Sequence, residues 1–237
     1  MILQNKIFEQ KGVKALTSEL EKIKGIIFDF DGVIVDSIPA HLAAWDIAYK
    51  EIFKQDMGPE KKEYISGMST NSIAKYLCKD CPQFREKLIK TKNKSLRQNN
   101  QNIEIIPGAM ELLKELRQHQ IPHGIVSNAP KKFIESVLVD KDIKIPFFFG
   151  REDYYRPKPD PEPYLKGLKE LGFGYMDRKD VVFFEDSPHG LESGKNAGLY
   201  PIGISSQHHE KTLKDVGAQI VFKDHLESID FILSRIN

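Results

Sequence analysis

The sequence predicts an α/β protein: a parallel sheet covered by helices on both faces, with a small all-helical segment inserted behind its first strand. Three observations predict it. Short apolar runs, GIIFDF at Gly25–Phe30, GIV at Gly124–Val126 and VVFF at Val181–Phe184, are separated by helix-length stretches. Strands alternating with helices imply a parallel sheet with both faces covered. The stretch from Ser37 to about Leu96, by contrast, holds no strand-like run.

Taken in order, Met1–Lys24 reads as a polar helical extension without the apolar core or small-residue cleavage site of a signal peptide. Gly25–Phe30 reads as a buried strand opening into a turn at Gly32. The inserted segment shows helical spacing at Leu42, Trp45, Ile47, Tyr49 and Ile52, then at Ile73, Tyr76 and Leu77, then at Leu88 and Leu96. After Pro107-Gly108 the rhythm returns: helix Ala109–His119, strand Gly124–Val126, a helix after Pro130, and an apolar run at Phe147–Phe149. A helix from Pro161 to about Leu171, strand Val181–Phe184, helix Pro188–Ala197 and the runs Pro201–Ile204 and Ile220–Phe222 complete the set. The α/β core is expected over residues 1–35 and 105–237, and the helical segment over 36–104.

Composition narrows the function. The chain has 237 residues, 40% apolar and 29% charged, with a formal net charge of +1. Near-neutrality argues against bulk attraction to nucleic acid or a membrane surface. The longest apolar runs fall far short of the roughly 20 residues a membrane helix needs. Two cysteines, Cys78 and Cys81, suit a reducing cytosol better than a disulfide framework, so a cytoplasmic protein is expected. The glycine-rich loops that cradle nucleotides are absent.

Open parallel sheets bind ligands outside the carboxyl ends of their strands, so those ends carry the functional reading. The first ends Asp29-Phe30-Asp31-Gly32, two carboxylates spaced to face one way. Alone, this is more often an Asp-Gly turn after a strand. The second ends Ser127-Asn128, either a helix cap ahead of Pro130 or a pair of phosphate donors. Arg156-Pro157-Lys158-Pro159-Asp160-Pro161 holds a lysine in a rigid loop, at the surface or against a phosphate. The strand at Val181–Phe184 leads to Glu185-Asp186, an acidic helix start or a cation site. Together, acids, phosphate-sized donors and a lysine at one sheet edge make a metal-and-phosphate site, and magnesium prefers such oxygen ligands.

These segments, in this order, resemble the haloacid dehalogenase superfamily. DFDGVIVDS is similar to its first motif, VSNA to its second, RPKPDPEPY to its third and FEDSPHGLESGKNAG to its fourth, from Gly25 to about Ile204. The resemblance implies a Rossmann-like core with a helical cap, and a magnesium-dependent enzyme acting on a small phosphorylated metabolite. It implies that Asp29 attacks phosphorus, that Asp31 serves as acid and then base, and that Ser127 and Asn128 hold the phosphoryl group. It further implies that Lys158 neutralises that group and orients Asp29, and that Glu185 and Asp186 hold the metal, directly or through water, with Asp29 and the carbonyl of Asp31. The second acid, Asp31, argues against a true dehalogenase.

Within the superfamily the chain is most similar to the beta-phosphoglucomutase-like set, on His41 and Trp45, four residues apart on one face of the first cap helix. A satisfied histidine beside a packed tryptophan is the competing reading. Thr70, at the end of Ser66-Gly67-Met68-Ser69-Thr70, stands where similar mutases place an arginine for a second phosphate, which favours hydrolysis over isomerisation. Lys92 or Lys94 could supply that charge. A phosphatase is therefore expected, with a phosphomutase as the alternative. A non-catalytic binding module and a phosphonate-cleaving enzyme are weaker readings. Cys78-Lys79-Asp80-Cys81 reads as chance spacing, His208-His209 as solvated loop, and Lys87–Lys94 as the wet face of a helix.

Overall fold

A computed structural model describes residues 20–65, 70–98 and 103–236. Residues 1–19 of the polar extension and Ser66–Ser69 of the cap sequence lie outside the described residues. In chain order the elements are β1 (Gly25–Phe28), β2 (Val35–Asp36), α1 (Ile38–Phe53), α2 (Pro59–Ile65), α3 (Thr70–Leu77), α4 (Arg85–Gln98) and β3 (Glu104–Ile105). There follow α5 (Ala109–Gln118), β4 (His123–Val126), α6 (Lys131–Asp140), β5 (Phe148–Phe149), α7 (Glu162–Glu170) and β6 (Val181–Glu185). The chain then forms α8 (Pro188–Asn196), β7 (Tyr200–Ile204), α9 (Glu210–Asp215), β8 (Ile220–Phe222) and α10 (His225–Leu233).

Six strands make one sheet in the order β5–β4–β1–β6–β7–β8, and every pairing is parallel. Alternation along each strand sorts its side chains between two cores. Ile26, Phe28, Ile125, Val182 and Phe184 face one cluster, filled from α5, α6 and α10 by Leu112, Leu116, Phe133, Val137 and Phe231. Ile27, Val126, Val181 and Phe183 face the other, with Tyr164 and Leu168 of α7 and Leu191 of α8. The sheet is thus apolar on both faces, which is why its strands read as continuous apolar runs.

β1 is central. The chain leaves it for β4 and β5 on one side and returns to β6, β7 and β8 on the other. That reversal opens a crevice at the carboxyl ends of β4, β1 and β6. The helices α1–α4 stand over it with an apolar cluster of their own, built on Trp45, Tyr49, Met57, Ile73, Leu77 and Leu88. Val35–Asp36 pairs antiparallel with Glu104–Ile105 where the chain enters and leaves these helices.

One expectation is corrected: the described end of the polar extension, residues 20–24, is not helical, and Leu20 and Ile23 are buried in the sheet core. Two helices, α9 and α10, have no counterpart in the sequence reading, although Asp224 caps α10 by accepting from the Glu227 N–H, a signal three residues long.

Candidate active site

Asp29 extends β1 by one main-chain bond, its N–H donating to the Phe184 carbonyl at 2.9 Å. The next residues fold into a tight turn in which Gly32 N–H donates to the Val35 carbonyl at 2.7 Å. Gly32 is required twice. Its φ is +74°, and a Cβ there would come within 2.0 Å of Asp186 Oδ2. Beneath the turn, buried His225 donates from Nε2 to the Val33 carbonyl at 2.9 Å. A carbonyl only accepts, so this nitrogen carries the proton.

Ser127 follows β4, and neither it nor Asn128 caps α6. Ser127 Oγ accepts from the Ala129 N–H at 3.1 Å. Asn128 pairs with the main chain of Lys158 in both directions, accepting from its N–H at 3.1 Å and donating to its carbonyl at 3.2 Å. The proline-rich loop is therefore tied to the end of β4. Its lysine is buried rather than on the surface, with Nζ 2.6 Å from Asp29 Oδ1 and 2.6 Å from Glu185 Oε1. Tyr164 on α7 supports the bridge from below, its hydroxyl donating to Glu185 Oε1 at 2.9 Å.

Glu185 ends β6. Ser187, not the acids, caps α8, and its hydroxyl also donates to Glu185 Oε2 at 3.1 Å. Gly190 leaves room for that carboxylate, since a Cβ would lie 1.9 Å from it. Glu185 is thereby satisfied by three neighbours. Asp186 is not: its buried Oδ2 has no hydrogen-bond partner.

The charge balance is lopsided. Asp29, Glu185 and Asp186 bring one carboxylate oxygen each within 4.8 Å of one another, the one such grouping among the described residues. Burial pushes Asp29 up to about 8; Lys158 opposes the shift, while Glu185 and Asp31 add to it. Asp186 is driven well above the usual carboxylate range by burial and by the same acids. Burial works against the Lys158 ammonium, yet Asp29 and Glu185 outweigh it and keep the lysine charged. One lysine cannot balance these acids. A small divalent cation fits the remaining deficit: the donors are all hard oxygens, and Asp186 has an oxygen to spare.

Asp31 stands slightly apart. It accepts from the Ser37 hydroxyl, and burial raises its carboxyl. His41 on α1 reaches it with Nε2 at 3.8 Å, while His41 Nδ1 lies 2.9 Å from Lys92 Nζ on α4. Burial, helped by the Lys92 charge, pushes His41 down to about 3, so the ring is neutral. The ammonium can only donate to Nδ1, which leaves the ring proton on Nε2, facing Asp31.

All the sequence-predicted residues of the sheet edge, Asp29, Asp31, Ser127, Asn128, Lys158, Glu185 and Asp186, line one cavity of about 330 Å³. His41, Trp45 and Thr70 line its opposite wall together with Ile65 and Ile73. Lys92 belongs to that wall too, buried, 5.6 Å over the Trp45 ring, which corrects the reading of Lys87–Lys94 as uniformly wet. Leu88, Lys92 and Leu96 share one helical stripe, a spacing that could have revealed it. Lys94 is exposed. His208 is corrected as well: it is half-buried, with Nδ1 2.9 Å from the Asp186 carbonyl. Tyr164 ends RPKPDPEPY, but nothing local marks its hydroxyl for Glu185, and His225 escaped the sequence reading because its partner Val33 is distant in the chain. Cys78 and Cys81 are free. No described helix is long and apolar enough to cross a membrane.

Comparisons with known proteins identify the family. The family model for haloacid dehalogenase-like hydrolases matches residues 26–204, and the chain belongs to that family. It is 33% identical to glycerol-1-phosphate phosphohydrolase 1 of Saccharomyces cerevisiae, over 88% of this chain and 84% of that one. It is 28% identical to hexitol phosphatase A of Escherichia coli, over 82% and 89%. Its fold is shared with beta-phosphoglucomutase from Clostridium difficile, at a TM-score of 0.71 and 22% identity over 90% and 96% of the two chains.

Proposed function

We propose that this protein is a magnesium-dependent phosphatase that hydrolyses a small sugar or polyol phosphate through an aspartyl-phosphate on Asp29. The observation that carries the reading is the Lys158 bridge. One buried ammonium lies 2.6 Å from both Asp29 and Glu185, at the base of a cavity that also presents the Ser127 hydroxyl. A phosphoryl group seated there meets a nucleophile, a cation and donors at once.

Asp29 Oδ attacks phosphorus while the bond to the ester oxygen breaks, and Asp31, protonated, gives its proton to the departing alkoxide. Water then attacks the aspartyl-phosphate, Asp31 takes the proton back, and inorganic phosphate and free Asp29 result. Lys158 holds Asp29 in line and offsets charge on the phosphoryl oxygens. Asn128 fixes the lysine loop. Asp29, Glu185, Asp186 and the Asp31 carbonyl would hold magnesium, directly or through water, and the ion would supply the positive charge that lets these acids ionise together. Residues 36–104 act as a cap that excludes water and contacts the leaving group, with hinges near Val35–Ser37 and Ile103–Pro107. The phosphatase names of the yeast and Escherichia coli relatives support a polyol or sugar phosphate. Free thiols at Cys78 and Cys81 suit a cytoplasmic enzyme.

A phosphomutase is the second reading. Lys92 favours it, since it puts a cation on the cap wall where a second phosphate would sit. Phosphorus NMR separates the two. The enzyme is given magnesium with glycerol 1-phosphate, hexitol phosphates, or beta-glucose 1-phosphate with a trace of the 1,6-bisphosphate. Growth of inorganic phosphate, stopped by EDTA and restored by magnesium, is expected. Growth of glucose 6-phosphate instead would replace the phosphatase reading with the mutase.

A further inference from the structure

The loop from Ser205 to His209, between β7 and α9, is outside all four sequence motifs, yet it touches two of them. Ser206 Oγ donates to the Gly32 carbonyl at 2.6 Å. Two residues on, His208 Nδ1 meets the Asp186 carbonyl at 2.9 Å, and because a carbonyl only accepts, Nδ1 carries the proton. Between them, Gln207 lines the cavity. The point where a Cβ on Gly32 would stand lies 2.0 Å from Asp186 Oδ2 and 2.7 Å from Gln207 Nε2. Three segments thus converge on the edge of the acid cluster that holds the unpartnered Asp186 oxygen.

We propose that Ser206 and His208 are positioning residues for the metal, setting the spacing between the Asp31-Gly32 turn and Asp186. The proposal rests on the metal role given above to Asp31 and Asp186. Main-chain pairing of β1 with β6 reaches Asp29 N–H on the Phe184 carbonyl. Beyond that bond, the loop supplies a tie from each turn to a common third segment. Spacing matters here because magnesium demands near-octahedral oxygens at about 2.0–2.1 Å and tolerates little spread. Supporting hydrogen bonds of this kind change metal affinity by about 10- to 100-fold when removed. The sequence gives no sign of the device, since both bonds end on main-chain carbonyls.

The test is magnesium affinity of the full chain by titration calorimetry, without substrate. Ser206→Ala and His208→Ala are each expected to weaken magnesium by about 10-fold, with the melting temperature of the metal-free protein unchanged. His208→Asn keeps a donor near the Nδ1 position and is expected to retain affinity. Wild-type affinity in both alanine variants would overturn the proposal. So would equal weakening in His208→Asn and His208→Ala, since the donor would then not matter. Should one alanine variant fail to fold, the other decides: weakened magnesium there supports the proposal, and wild-type affinity there overturns it. A wild-type protein that binds no magnesium would overturn the metal reading itself, and the brace with it.

Discussion

The sheet edge and the helical wall that faces it are built on opposite terms. At the edge, four charged side chains are buried together, and nearly every polar atom is answered: Lys158 by two carboxylates, Glu185 by lysine, tyrosine and serine. Across the cavity the wall is mostly apolar, with Trp45, Ile65 and Ile73, and its polar contact centres on buried Lys92 and half-buried His41. A dense charge network that fails if one member goes is suited to a fixed chemical step. An apolar wall with a single ammonium is suited to selecting what departs. Damage to the edge should therefore abolish turnover, while damage to the wall should alter which substrate is used.

The sharpest break in this comparison is Asp29→Asn. Loss of the nucleophile is expected to lower kcat by at least about 10⁴-fold, with the fold intact by circular dichroism. Lys158→Met comes next. It leaves Asp29 and Glu185 buried without their counter-charge, and a stability loss of about 3 kcal/mol is expected in urea unfolding with metal chelated. Activity should fall with it. Lys92→Met tests the wall. KM for the preferred substrate should rise about 10-fold with kcat less affected; an equal collapse of kcat would move Lys92 from selection into the chemistry.

The smallest effect concerns His225, under the Asp29 turn. Burial pushes it down to about 4 against the pull of the Val33 carbonyl, from an ordinary value of 6.5. A histidine held neutral in the fold contributes stability that is complete above about pH 6.5 and is lost as pH falls toward 4, where the unfolded chain takes up the proton more readily. His225→Leu removes that pH-dependent contribution. Between pH 7 and pH 4.5 the wild type should lose about 2 kcal/mol more than the variant. An equal loss in both would show that His225 does not titrate in this window.

The two regions also differ in how far the sequence exposes them. The edge is legible because sheet topology gathers strand ends, so β1, β4 and β6 carry their chemistry one or two residues past an apolar run. Asp29, Ser127 and Glu185 are found that way. The wall is legible only in part: the four-residue spacing of His41 and Trp45 points both at it, but in the basic run only the Leu88–Lys92–Leu96 stripe hints that one lysine is buried. β2 and β3, two residues each, are too short for any periodicity. Only the helix-cap reading of Ser127 fails, since its hydroxyl accepts from the Ala129 N–H rather than serving the helix start. Ser206 and His208 are invisible for a further reason: their partners are carbonyls, which every residue has.

The central claim is that Asp29 becomes phosphorylated, and trapping tests it most directly. Protein mixed with magnesium and its best phosphate ester would be quenched in acid and mapped by mass spectrometry, using Asp31→Asn to slow breakdown. The account predicts a hydroxylamine-labile phosphate on the peptide containing Asp29, absent in Asp29→Asn. A phosphate on Ser127, or turnover with no covalent phosphate at any time point, would contradict it.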